Sequence, residues 1–302
     1  MATVRKAVVT AAGWGTRFLP ATKAQPKETL PIVDKPMIQY VVEEAVAAGI
    51  RQVIVVTAAG KRAIEDHFDR SFELEYALAQ KGDTHLLEEV RRISDIADFY
   101  YVRQKEQLGL GHAVLTARGL VGDEPFAVLL PDDVIDSPEP ALKQMLRVFD
   151  RLQRSIIGVE RVPTEHIPAY GIIEPKPLEP RLSQVLSLVE KPSIDEAPSN
   201  IGIVGRYILT PDIFDCLEEV PPGKKGEIQL TDALHLLLQR HPVYAYEFEG
   251  TRYDAGTPLG LLKASLEFAL KRPDIGPALQ EYLRRLDVGA PEPAKGGKKS
   301  GR

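Results

Sequence analysis

One cysteine, Cys216, in 302 residues excludes an intramolecular disulfide, and no Cys/His cluster of zinc-ligand spacing is present. Cys216 falls in a helical pattern beside Phe214 and Leu217, so it reads as a core thiol rather than a reactive one. No apolar run is long enough to span a bilayer, and no signal-peptide pattern is seen at the start. Together these set the expectation of a cytoplasmic protein without membrane contact. An excess of positive charge is also lacking: 38 Lys and Arg stand against 43 Asp and Glu, a formal net charge of −5, which argues against general nucleic-acid binding. The last eight residues carry four positive charges and no acid, so the rest of the chain is more acidic still. That stretch follows a Pro- and Gly-rich segment without apolar period, and residues 289–302 read as a disordered basic tail. No internal repeat is visible.

What is present is alternation. Ala7–Thr10 reads as a first strand, and Val53–Thr57 is apolar at every position, as in a parallel strand covered on both faces. Between them Ile38, Val41, Val42, Ala45 and Val46 follow helical spacing, with Pro36 in the first turn and Gly49 as the stop. Residues 62–98 are more polar and read as a helical insertion. Phe126–Leu130 is a further buried strand, and strands are expected within 155–162, 171–174, 185–190 and 202–209, some antiparallel. Helical patterns return at 230–240, 259–271 and 277–286. This predicts an α/β fold with a Rossmann-like mixed, mainly parallel central sheet and helices on both faces. Ligands then belong beyond the carboxyl ends of the strands.

The densest signal follows the first strand: A-A-G-W-G-T-R-F-L-P, then P-K-E at Pro26–Glu28. Glycine allows close backbone approach and φ > 0, so such a loop can wrap phosphate oxygens, and Arg17 and Lys27 bring positive charge to it. It is not a dinucleotide fingerprint, because Phe18 stands where the third glycine belongs and Pro20 and Pro26 would interrupt the helix. Nor is it a P-loop, since neither lysine is part of G-K-[ST] entering a helix.

This loop, with G-L-G-H-A-V (109–114), L-L-P-D-D-V-I (129–135), V-E-K-P (189–192), A-P-S-N and V-G-R-Y (between 197 and 207), G-E-I-Q-L-T-D-A (226–233) and Y-D-A-G (253–256), resembles the sugar-1-phosphate nucleotidyltransferases. Within them it is similar to the bacterial UTP–glucose-1-phosphate uridylyltransferases, also called UDP-glucose pyrophosphorylases. Two departures are Trp14, where that branch usually has leucine, and Thr29, where it has methionine.

The resemblance implies the nucleotide-diphospho-sugar transferase fold and transfer of a uridylyl group from UTP to glucose 1-phosphate, giving UDP-glucose and pyrophosphate with Mg²⁺. It implies a single domain over residues 1–288, with a nucleotide-binding half (about 1–135), a sugar-binding half (about 136–257) and C-terminal helices (about 258–288). A homodimer or homotetramer is expected from the same source. Arg17 and Lys27 are the expected holders of the triphosphate, with Gly15 and Thr16 beside them. Asp132 is the expected metal ligand and Asp254 the second. Asp133 is assigned to the nucleotide site, bonding a ribose or sugar hydroxyl. Base recognition is expected from Glu28, Gln104 and the backbone at Ala12, Gly13 and Gly109; an amide can give and receive on the uracil edge. His112 reads as a helix-start or packing residue.

For the sugar, Glu190 can accept hydroxyls while Lys191 reaches the 1-phosphate, joined by Gly171 and Asn200. Neighbours on a strand point to opposite faces, so Glu190 and Lys191 serve one ligand only if the strand ends or bends there, which Pro192 suggests. Uracil and thymine differ by one methyl, worth about 1–3 kcal/mol in a pocket, and no residue alone settles that choice. A nucleotide-sugar sensor without catalysis is the alternative of another class; retention of Arg17, Lys27, Asp132 and Lys191 speaks against it.

Overall fold

A computed structural model describes residues 2–286 apart from 224 and 225; the expected basic tail lies outside the described residues. Nine strands form the central sheet: β1 (Lys6–Thr10), β2 (Gln52–Thr57), β3 (Asp98–Arg103), β4 (Phe126–Leu129), β5 (Ile156–Arg161), β6 (Gly171–Glu179), β7 (Leu182–Glu190), β8 (Ile201–Leu209) and β9 (Tyr244–Glu247). Their spatial order is β3-β2-β1-β4-β8-β5-β9-β7-β6. Seven run one way, while β7 and β8 oppose them. The parallel part is β3-β2-β1-β4, and the rest is mixed.

Alternating side chains divide the core in two. Val8, Ile54 and Val128 pack on one face with the helices Leu110–Thr116, Ile213–Glu219 and Leu230–Arg240. Ala7, Val9, Val55 and Leu129 pack on the other with Met37–Ala47 and Ala141–Leu152. Cys216 is wholly buried in the first of these layers, as expected of a core thiol. The polar segment after β2 is three helices, Arg62–Phe68, Phe72–Lys81 and Thr84–Ser94, as its pattern suggested.

Three features of the sheet differ from expectation. β3 (D-F-Y-Y-V-R) is an edge strand with charged ends and only partly buried aromatics, so it lacks the apolar run that marks β2. β9 is only four residues, too short to show a period. β6 continues to Glu179 through Pro175 and Pro177, which an edge strand tolerates because its outer N–H groups need no ladder partner.

The chain passes from β1 to β2 and β3 on one side and then crosses to β4 on the other. The carboxyl ends of β1 and β4 therefore flank the switch-point crevice of the sheet. The glycine-rich loop leaves β1 here as three short 3₁₀ turns, Thr16–Phe18, Ala21–Lys23 and Lys27–Thr29. Phe18 and Leu30 anchor it in a small separate core with Ile32, Met37, Val134 and Ala264. Burial of each anchor contributes about 1.5–3 kcal/mol, so the loop is held without joining the sheet ladder.

Candidate active site

Two cavities open at this crevice. The first, about 620 Å³, is lined by Ala12, Gly13, Gly15, Thr16, Arg17, Lys27, Glu28, Gln104, Gly109 and Asp132. The second, about 330 Å³, is lined by Arg17, Asp132, Asp133, Gly171, Glu190, Lys191 and Asp254, with Thr231 and Arg252. Arg17, Leu110, Leu130 and Asp132 belong to both. Residues scattered over 240 positions of sequence are thus brought to one place. Asn200 is the exception: it is exposed, lines neither cavity, and accepts a hydrogen bond from Val162 N through its main-chain oxygen at 2.9 Å.

In the first cavity Gly15 has φ 68°, and a Cβ there would lie 3.1 Å from Lys27 Cβ and 3.2 Å from Thr22 Cγ2. Thr22 Oγ1 donates to Gly15 O at 2.8 Å and closes the loop. Lys27 Nζ donates to Asp132 Oδ2 at 2.6 Å. Burial lifts the Asp132 carboxyl, but the Lys27 ammonium outweighs it and holds the group below its usual range. Burial likewise opposes charge on Lys27, and Asp132 and Glu28 overcome it, so its ammonium is held above its usual range.

Glu28 is fully buried, with Oε2 accepting from Lys61 Nζ at 2.7 Å. Gln104 Nε2 donates to Gly109 O at 3.2 Å and to His112 Nδ1 at 2.9 Å. Both amide hydrogens are therefore used inside the protein. Gln104 presents an acceptor to the cavity rather than the donor–acceptor pair expected from its side chain alone. His112 acts through that bond, within the helix Leu110–Thr116. Gly109 (φ 93°) lies against the 227–228 backbone, where a Cβ would be 2.9 Å from Ile228 O.

Asp132 and Asp133 diverge. Asp133 was expected beside the nucleotide, but it lines the second cavity only and both its oxygens are occupied. Oδ2 accepts from Gly205 N at 2.7 Å, and Oδ1 accepts from Arg252 Nη1. Burial pushes its carboxyl up, with Arg252 opposing and Asp132 adding to the rise. Asp133 thus ties the turn after β4 to β8, while Asp132 faces both cavities.

A pair of hard oxygen donors meets over Gly256, the glycine of Y-D-A-G. A Cβ on it would lie 2.6 Å from Asp132 Oδ2 and 3.0 Å from Asp254 Oδ1. Two carboxylates so placed, open to a cavity for phosphate oxygens, fit a divalent cation that keeps several non-protein ligands.

On the far wall Glu190 ends β7, and Lys191 follows with φ 47°, in the left-handed region rare for non-glycine residues. Lys191 N donates to Tyr170 O at 3.0 Å and secures the turn. The bend that alternation required is present, and Lys191 Nζ lies 2.9 Å from Glu190 Oε1. Thr231 Oγ1 donates to Glu190 Oε2 at 2.7 Å.

Sequence reasoning passed over the groups that brace these side chains. Arg206 is fully buried in β8 and donates to both oxygens of Glu44, to Leu130 O and to Asp133 O. An arginine within an otherwise apolar strand was the available signal, since such a charge must find partners. Arg252 bonds Asp133, Glu160 and Tyr170. Lys61 had no signal beyond following β2.

A mixed sheet whose parallel part carries, at its switch point, a glycine-rich loop and converging cations defines an α/β nucleotide-binding protein. The chain belongs to the nucleotidyl transferase family, which matches residues 6–270, and its fold is the nucleotide-diphospho-sugar transferase fold. It is 52% identical over 288 residues to the UTP–glucose-1-phosphate uridylyltransferase of Staphylococcus epidermidis, covering 95% of this chain and 100% of that one. Its identity to the enzyme of the same name from Bacillus subtilis is 54% over 286 residues, 95% of this chain and 98% of that one. A UDP-glucose pyrophosphorylase complexed with UDP-glucose superposes with a TM-score of 0.83 at 46% identity, covering 89% of this chain and 100% of that one. The UTP-bound enzyme from Acinetobacter baumannii gives 0.88 at 43% identity, with 94% and 100% covered. The resemblance drawn from the motifs is thereby upheld.

Proposed function

We propose that the protein transfers a uridylyl group from UTP to glucose 1-phosphate, forming UDP-glucose and releasing pyrophosphate. The observation that carries this reading is the meeting of two cavities at Arg17 and Asp132. The relatives' names and the ligands bound in the two superposed structures support the choice of substrates.

The first cavity takes the nucleotide. Ala12, Gly13 and Gly109 bring backbone against the base, Glu28 and Gln104 offer acceptors, and Gly15 and Thr16 line the path to the phosphates. The second takes the sugar phosphate. Glu190 accepts sugar hydroxyls beside Gly171, and Lys191 holds the 1-phosphate.

A sugar phosphate has a second pKa near 6, by analogy with phosphorylated side chains, so it attacks as a dianion without a general base. The bond from its oxygen to the α-phosphorus forms as the bond to pyrophosphate breaks, in line. What opposes this is repulsion between anions. The protein acts by neutralising charge and fixing geometry. Arg17, at the junction, forks onto phosphate oxygens, and Lys27 exchanges Asp132 for the triphosphate. Asp132 and Asp254 would hold Mg²⁺, which when bound supplies further neutralisation and a fixed arrangement of phosphate oxygens.

The halves divide near residue 135, with C-terminal helices from 258. Exposed Leu259, Leu262 and Leu266 on the helix Pro258–Leu270 support a homodimer or homotetramer through this region. No helix among the described residues is long and apolar enough to cross a membrane, and the reading places the enzyme in the cytoplasm.

Pyrophosphate release from purified protein with Mg²⁺ and glucose 1-phosphate, and UTP, dTTP, ATP, CTP or GTP in turn, tests the reading. Release with UTP that vanishes without the sugar phosphate is expected. Preference for dTTP moves the enzyme to a sister activity; silence with every nucleotide contradicts catalysis.

A further inference from the structure

We propose that Lys61 is a positioning residue for base selection: it pins one oxygen of Glu28 and leaves the other, as an acceptor only, toward the base. This rests on the uridylyl-transfer reading and deepens it. Lys61 sits just before the helix Arg62–Phe68, and its side chain is only 9% exposed as it reaches Glu28 Oε2 at 2.7 Å. Glu28 lines the nucleotide cavity, yet its Oε1 is buried and has no hydrogen-bond partner among the described residues.

The contrast with another buried ion pair locates the purpose. Arg206 meets both oxygens of Glu44, whose Oε1 also accepts from Leu142 N. That pair consumes its carboxylate and serves the fold. Lys61 takes half of Glu28 and leaves Oε1 buried and without a partner beside the nucleotide cavity, which a purely structural pair has no reason to do.

Burial prevails and holds the Glu28 carboxyl above its usual range, and the Lys61 ammonium is the largest influence opposing it, ahead of Lys27. Lys27 is itself committed to Asp132 at 2.6 Å. Lys61 therefore favours the ionised carboxylate, which can only accept hydrogen bonds. Uracil offers an N–H donor at N3, whereas cytosine offers a lone pair at that position. An ionised Glu28 accepts from the first and repels the second. Without Lys61 the buried group favours its protonated form, which can donate to cytosine N3 and erase the distinction.

The test is binding of UTP and of CTP without sugar phosphate, by titration calorimetry, to wild type, Lys61→Met, Lys61→Arg and Glu28→Gln. Wild type should prefer UTP. Lys61→Met should reduce the CTP-to-UTP ratio of Kd by about tenfold or more, on the scale at which buried polar groups discriminate substrates. Lys61→Arg should largely keep the ratio, and Glu28→Gln should reproduce the loss, with no further loss in the double variant. Equal weakening of both nucleotides in Lys61→Met, or equal binding of both by wild type, overturns the proposal. If Lys61→Met does not fold, Glu28→Gln carries the test, because it keeps the volume and removes the fixed charge; an unchanged ratio there is equally fatal. Pyrophosphate release measured in parallel on wild type separates failure of the transfer reading from failure of this one.

Discussion

The two walls of the crevice are built differently. On the parallel side, the groups that face the nucleotide come largely from one stretch of loop, Ala12 to Glu28, and its acids are paired with lysines: Lys27 with Asp132, Lys61 with Glu28. On the mixed side, Gly171, Glu190, Lys191, Thr231 and Arg252 arrive from separate elements, and a left-handed lysine makes the corner. The first wall is a pre-neutralised charge surface from which ligand phosphates displace internal partners. The second is an assembled hydroxyl and phosphate socket. Changes on the first should chiefly raise the barrier to transfer, and changes on the second should chiefly weaken the sugar phosphate.

The largest effect is expected where the walls are joined. Glu44→Ala leaves Arg206 buried without its carboxylate and should lower the unfolding free energy by about 3–5 kcal/mol, read by urea denaturation. Next, Arg17→Ala or Lys27→Ala removes a cation from the charge surface and should cost roughly 3–4 kcal/mol in kcat/KM with the fold intact. Near-normal turnover in either would remove that residue from the transfer step. Lys191→Ala should cost about 1.5–3 kcal/mol, the scale of a hydrogen bond to a charged group, appearing in KM for glucose 1-phosphate and not in KM for UTP. A comparable rise in both constants would dissolve the distinction between the walls. The smallest change, Gly171→Ala, places a Cβ 3.2 Å from Glu190 Oε2 and should cost about 1 kcal/mol by crowding, again in the sugar constant alone.

The difference between the walls also decides what the sequence could show. The loop from Ala12 to Glu28 is contiguous, so its glycines and cations read directly as a phosphate site. β2 and β4 read equally well because strands buried on both faces are apolar throughout. β3 and β9 escaped, one as a half-exposed edge and the other as a four-residue strand. Glu190 and Lys191 could be paired only conditionally, because alternation forbids it until the chain turns, and φ at Lys191 is a tertiary fact. Asp132 and Asp133 look alike in the sequence; only Arg252, Gly205 and Lys27, all distant along the chain, tell them apart. Asn200 stood within a motif but outside the cavities, where adjacency in sequence gave no adjacency in space.

Direct transfer between the walls is tested most sharply by stereochemistry at the phosphorus. UTP carrying a single-configuration α-thiophosphate, reacted with glucose 1-phosphate, gives a thio-substituted UDP-glucose whose configuration can be read by phosphorus NMR. One in-line displacement by the sugar phosphate held at Lys191, with pyrophosphate leaving past Arg17 and Lys27, predicts inversion. Retention would mean two displacements through a uridylylated protein group, and would contradict the account.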